Sequence, residues 1–203
     1  MKSQTQVNIA GTLLFLAGSI IIMGVITSGT FYPTGYNNFK DEISDLGGTR
    51  PPNSIIHKPS ATIFNMTMLV TGITIFIASL FIHQQFKKWL FTITLTIFGM
   101  GVFGVGVFPG HVVRWHGIFA LVAFTFGSVT CIAACKMVPP PFRYIGICIG
   151  VISIMFLYGA NIFIPYISAG GTERWVAYPV VFWLNGFGGF LLGLKVENKQ
   201  VAT

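Results

Sequence analysis

Charge is the scarcest property of this chain. Only 8% of its 203 residues are Asp, Glu, Lys or Arg, while 53% are hydrophobic; a soluble domain carries about 25% charged residues. That excludes an ordinary water-soluble globule. It excludes a disordered chain equally, because such chains are rich in charge and poor in apolar side chains. Three cysteines are too few for a disulfide framework, so a secreted mini-protein is excluded as well. Acids are rarer than bases, five against 12, for a net charge of +7. So apolar a chain has no room for a basic groove, and no nucleic-acid partner is expected. A pair of histidines inside one apolar region, as a haem between helices needs, is lacking too: His116 and His83 touch only opposite ends of such regions. Nor does the sequence show the internal repeats common in transporters.

What it has in quantity is long apolar runs. A bilayer core about 30 Å thick is crossed by roughly 20 apolar residues in a helix. Six stretches, 9–26, 61–82, 89–108, 117–134, 144–167 and 175–194, contain no charged residue at all. They predict an all-α fold, one integral membrane bundle of six transmembrane helices filling residues 1–203. The first stretch is too long for a signal-peptide core and lacks a small-residue cleavage site after it, so it is read as a span.

Orientation follows from the basic residues between the spans. The side of the termini holds Lys2, Lys87, Lys88, Lys136, Arg143, Lys195 and Lys199 against Glu197 alone. The other side holds Lys40, Arg50, Lys58, Arg114 and Arg174, offset by Asp41, Glu42, Asp45 and Glu173. Both termini are expected in the cytoplasm of a multi-pass cell-membrane protein. Its basic rim makes membrane lipids the expected partners, with a protein partner or a second copy left open.

The residues 29–60 form the longest connection. Within it Phe39, Ile43 and Leu46 make an apolar stripe, Asn38 suits an N-cap and Gly47 a stop, so a short amphipathic helix is expected on the outer surface or in the bundle mouth. On that helix Asp41 and Asp45 share a face. Glycines crowd the third and sixth spans, and Gly189-x-x-x-Gly193 fits close helix approach. Gly99-Met-Gly-Val-Phe-Gly104 matches a dinucleotide fingerprint in letters only, because no strand precedes it.

Reactive side chains gather on the outer side. Three of the four histidines and four of the five acids lie there, which points to a polar site built from the first loop, the 109–116 turn and the 168–174 turn. Asp45, His116 and Glu173 are the candidate acid/base residues, since a histidine opening a helix and carboxylates in short turns suit proton transfer or ligation. Arg174 is the candidate clamp for an anionic headgroup, and His111, Asn65 and Asn161 are candidate ligand-binding residues at the same level. Buried amides must find partners, so Asn65, Asn161 and Asn185 are expected to face the bundle. Cys131, Cys135 and Cys148 are read as small apolar fillers. His111 and His116, five residues apart, do not share a helical face, so a metal site between them has weak support. These residues specify no metal, cofactor or substrate.

The run Glu42-Ile-Ser-Asp-Leu-Gly47, with Phe64-Asn65 opening the second span, resembles domain-of-unknown-function family 998. Gly106-Val-Phe-Pro-Gly, His116-Gly-Ile-Phe-Ala and Glu173-Arg174 with Tyr178-Pro179 and Trp183 extend the resemblance over essentially the whole chain. It implies a small multi-span protein of the archaeal and bacterial kind, without an established activity. The resemblance implies, for many relatives, an acid after the Phe-Pro; this chain has Gly110-His111 instead.

Two functions are weighed. One is a polar outer-leaflet pocket that engages a lipid or isoprenoid headgroup, as a binder or as a hydrolase or transferase. The other is a non-catalytic transport, scaffold or accessory subunit of a membrane complex.

Overall fold

The computed structural model describes residues 3–33 and 35–196, so Lys2, Glu197 and Lys199 of the charge argument lie outside the described residues. Among the described residues there are six α-helices and no strand: α1 (Gln4–Thr30), α2 (Ser60–Phe86), α3 (Trp89–Val107), α4 (Val113–Ala133), α5 (Phe142–Tyr158) and α6 (Ala160–Gly193). Five are long and apolar enough to cross a membrane: α1, α2, α3, α4 with its extension to Lys136, and α6. The fifth helix has 17 residues, about 26 Å at 1.5 Å per residue.

The expected fifth span, 144–167, is therefore interrupted. Gly159 ends α5 at φ −91°, ψ 13°. Glycine holds a helix poorly, and Pro165 just beyond has no N–H to offer the carbonyl four residues back. A second break follows at Ser168, whose φ of 60° and ψ of 173° lie outside helical space within α6. Beyond it α6 runs antiparallel to α5. The Ser153 hydroxyl donates to the Val176 carbonyl at 2.6 Å, and Gly146 sits against Trp183.

The helices form a ring in which each packs against its neighbours in sequence and α6 closes on α1. Leu14, Ile75, Leu95, Leu184 and Phe187 are fully buried inside it, whereas Met23, Met66, Leu90, Ile162 and Phe182 are more than half exposed on its outside. Helices apolar on both faces suit a bundle surrounded by hydrocarbon. Polar ties between helices are few and short. Ser28 donates to the Ser60 carbonyl at 2.8 Å, Ser79 pairs with Thr96 at 2.9 Å, and Asn185 donates to Ser19 Oγ at 2.8 Å. Each such tie contributes about 0.6 kcal/mol on average.

Close helix approach falls one residue from where the glycine pattern predicts it. Gly188 packs on α1, where an added Cβ would stand 2.5 Å from the Phe15 amide nitrogen, while Gly189 and Gly193 face open space. The Gly99–Gly104 run is helical throughout, so the dinucleotide reading has no strand or loop to rest on.

The ring has two unlike ends. At one, the Ser3 amide donates to Gln85 at 2.7 Å and Gln4 Nε2 to the Leu194 carbonyl at 2.9 Å, so the start of α1 meets the ends of α2 and α6. At the other, the Gly170 amide donates to the Lys40 carbonyl at 3.2 Å and that of Gly171 to Phe39 at 3.1 Å. Gly110 there abuts the Gly48 carbonyl. The long first connection thus covers the turns between α3 and α4 and before the second half of α6.

Candidate functional site

Among its described residues the first connection holds no amphipathic α-helix. Asn37, rather than Asn38, receives the amides of Phe39 at 2.8 Å and Lys40 at 3.3 Å, which closes a turn. A 3-10 helix of four residues, Ile43–Leu46, follows, begun by a reciprocal capping box between Glu42 and Asp45. The apolar stripe divides: Ile43 and Leu46 are buried and Phe39 is half exposed. In a turn this short, three residues at i, i+4 and i+7 cannot share one face. Ile43 and Leu46 fill the mouth of the ring, against α1, α2 and α6. Asp41 and Asp45 diverge, Asp41 accepting the Asn37 amide at 2.6 Å and Asp45 that of Glu42 at 2.9 Å.

The first amide of a helical turn has no partner within the turn. Here the Ile43 amide donates to the Glu173 carboxylate, reaching across from the first connection to α6. Glu173 lines a cavity of about 80 Å³ inside the ring, closed at this end by Ile43 and Ser44. His116, from the first turn of α4, lines the same cavity and is 2% exposed. Its Nδ1 lies 2.7 Å from the Phe108 carbonyl oxygen, the unpaired acceptor at the end of α3. A carbonyl only accepts, so Nδ1 carries the proton and Nε2 keeps a lone pair in the neutral ring.

Deeper in, the walls are Ile21, Met68, Phe98, Phe124 and Val181. Ser44, His116 and Glu173 thus stand near the covered end, Tyr178 lies five residues further along α6, and the rest of the lining is hydrocarbon. Ser44 and Tyr178 are the other hydroxyl-bearing lining residues, and among the described residues no Lys or Arg lines it. Neither hydroxyl stands out from sequence alone, apart from its place in the runs Glu42–Gly47 and Tyr178-Pro179.

The remaining candidates do other things. Asp45 lies outside the cavity lining and serves the capping box; burial, with Glu42 and Asp41 nearby, holds its carboxyl above the usual carboxylate range. Arg174 is a staple rather than a clamp. Its Nη1 donates to the carbonyls of Asp41 (2.8 Å) and Gly170 (2.9 Å), and its Nη2 to Tyr36 Oη (2.8 Å) and Asn38 Oδ1 (2.9 Å). Burial raises the Tyr36 phenol well above its usual range, against the lowering influence of Arg174. Tyr36 and Asn38 carry no sequence signal for this role, because their partner is more than 130 residues away. Asn65 donates to the Gly47 carbonyl at 3.4 Å, supporting the cover from outside the cavity. His111 stands against Gly48, also outside it. Asn161 is exposed on α6, because the break at Gly159 changes the direction its helix presents. No group of three His, Cys, Asp or Glu that could hold a metal ion occurs among the described residues, so His111 and His116 lack a third ligand. Cys131, Cys135 and Cys148 are free thiols; Cys131 is the buried one, while Cys148 is exposed rather than a filler.

No curated protein and no solved structure matches this chain. A family model described as "Protein of unknown function (DUF998)" matches residues 15–188, a stretch running from α1 to Gly188 on α6 and including every cavity-lining residue. The chain belongs to the DUF998 family.

Proposed function

We propose that this chain is a six-pass protein of the cell membrane, both termini cytoplasmic, that binds the polar head of a lipid or isoprenoid in the cavity beneath Ile43 and Ser44. One observation carries the reading: the cavity is lined almost wholly by hydrocarbon, with His116 and Glu173 among its few polar residues beneath the cover. An amphiphile has that same make-up. Ligand sites are typically apolar enclosures with a few convergent polar groups. The size, about 80 Å³, suits a compact head and its first carbons, since one water needs about 10–15 Å³ on this measure. A hydrolase or transferase acting on that head would use His116 and Glu173 as its proton-transfer pair.

The orientation is read from the basic residues on the two sides. By sequence the terminal side holds seven bases, Lys2, Lys87, Lys88, Lys136, Arg143, Lys195 and Lys199, and the covered side five, Lys40, Arg50, Lys58, Arg114 and Arg174; the side richer in bases faces the cytoplasm. Single cysteines at Asn53 and Lys88, both exposed, in a background lacking Cys131, Cys135 and Cys148, test this. An impermeant maleimide should label the Asn53 position in intact cells and leave the Lys88 position unlabelled; the reverse pattern overturns the orientation.

Binding is tested by isolating the full chain from its own membranes and identifying retained amphiphiles by mass spectrometry, beside Ala120→Phe and Ala177→Phe. Both alanines line the cavity. Wild type should retain a defined amphiphile that both variants lose at unchanged helix content. Equal retention by all three overturns the reading.

A further inference from the structure

The geometry points to a head group that donates hydrogen bonds and carries no negative charge, an ammonium or a hydroxyl, as the ligand of this cavity. The inference rests on the amphiphile-binding reading and adds the sign of the head.

The argument is a count of donors and acceptors at the polar end. Glu173 brings a carboxyl that takes the Ile43 amide and also faces the amide of Ser44. His116 has spent its Nδ1 proton on the Phe108 carbonyl, so the remaining polar atom of its ring, Nε2, is a lone pair. Two of the four polar lining side chains therefore present acceptors. Of the other two, Ser44 has its hydroxyl 3.5 Å from Glu42 Oε2, and Tyr178 brings a phenol that can donate or accept. The cations that would receive an anion are elsewhere. Among the described residues no Lys or Arg lines the cavity. Arg174, adjacent in sequence to Glu173, has both terminal nitrogens committed to Asp41, Gly170, Tyr36 and Asn38. Arg50 pairs with Glu42 at 2.8 Å. A phosphate placed here would meet the His116 Nε2 lone pair with no lining cation to balance its charge, while an ammonium or a hydroxyl would offer a proton to that lone pair and to the Glu173 carboxyl.

The test uses the full chain in phosphatidylcholine nanodiscs and three probes with one chain length: tetradecylamine, tetradecanol and tetradecyl phosphate. Bound copies are counted by native mass spectrometry for wild type, Glu173→Gln and Ala177→Phe. The amine, the alcohol or both should bind at least about tenfold tighter than the phosphate, the scale of one unpaired buried polar group, and all binding should fall in Ala177→Phe. Glu173→Gln should weaken the amine more than the alcohol. An amine bound above the alcohol assigns an ammonium head, and equal binding assigns a hydroxyl-type donor. If the phosphate binds as tightly as the others and is still lost in Ala177→Phe, the donor-head inference is overturned while the cavity reading stands. If no probe binds, or Ala177→Phe changes nothing, both fall together.

Discussion

Nδ1 of His116 stands 2.7 Å from the carbonyl oxygen of Phe108, tying the first turn of α4 to the last residue of the turn that α3 leaves unpaired. The imidazole is 2% exposed, so water does not replace this bond. His116→Ala should destabilise the protein by about 1–3 kcal/mol through the orphaned carbonyl. His116→Asn, whose amide can donate from nearly the same place, should recover part of that loss while removing the Nε2 lone pair. Equilibrium unfolding in mixed micelles measures both; equal losses for the two variants would show that this bond contributes nothing.

Asp45 gives a pH dependence of definite sign. Its carboxyl is raised above the usual range by burial first, then by Glu42 and Asp41. A raised folded-state pKa means the folded protein holds the proton more tightly than the unfolded chain. That stability is fully present below the unfolded value of about 3.9 and is lost as pH rises through the folded one. Wild type should therefore lose stability relative to Asp45→Asn as pH climbs out of the carboxylate range. The difference in Tm between the two, followed from acid to neutral pH, checks it, and a constant difference contradicts it.

Arg174 secures the cover through Tyr36, Asn38 and the Asp41 carbonyl. Lysine cannot reproduce a planar fork of donors. Arg174→Lys should release the first connection, and the amides of Gly170 and Gly171, which donate to Lys40 and Phe39, should exchange about tenfold faster or more. Unchanged protection at those two amides would leave Arg174 without a structural task.

Adjacent glycines on α6 should behave oppositely. At Gly188 an added Cβ meets the Phe15 backbone, whereas Gly189 has open space around it. Gly188→Ala should cost about 1–3 kcal/mol by forcing α1 and α6 apart. Gly189→Ala should be neutral or stabilising by up to about 1 kcal/mol, since alanine holds a helix better than glycine. Unfolding midpoints of the two variants decide it.

The same pair of glycines shows where sequence reasoning stops. Exclusion of charge from six stretches, and the gathering of acids and histidines at one end, can be read from composition alone, because a span tolerates no charge whichever way it faces. The face a glycine presents cannot, since one residue turns the helix by about 100°. His116 and Glu173 were both legible as polar residues at the starts of spans, and both line the cavity. Asp45 looked equivalent to them; its neighbour Glu42, three residues earlier, claims it for a capping box. Arg174 looked like an anion site because its partners Tyr36 and Asn38 are remote in sequence. Asn161 faces inward only on a helix that runs unbroken through Gly159, and there the chain breaks.

The most direct test of the central claim is an experimental density map of the full chain in its native lipid. The account predicts an elongated feature inside the ring of helices, its compact end between His116 and Glu173 and its tail toward Phe98, Phe124 and Val181. A cavity without such a feature, with lipid density confined to the outside of the ring, would contradict it.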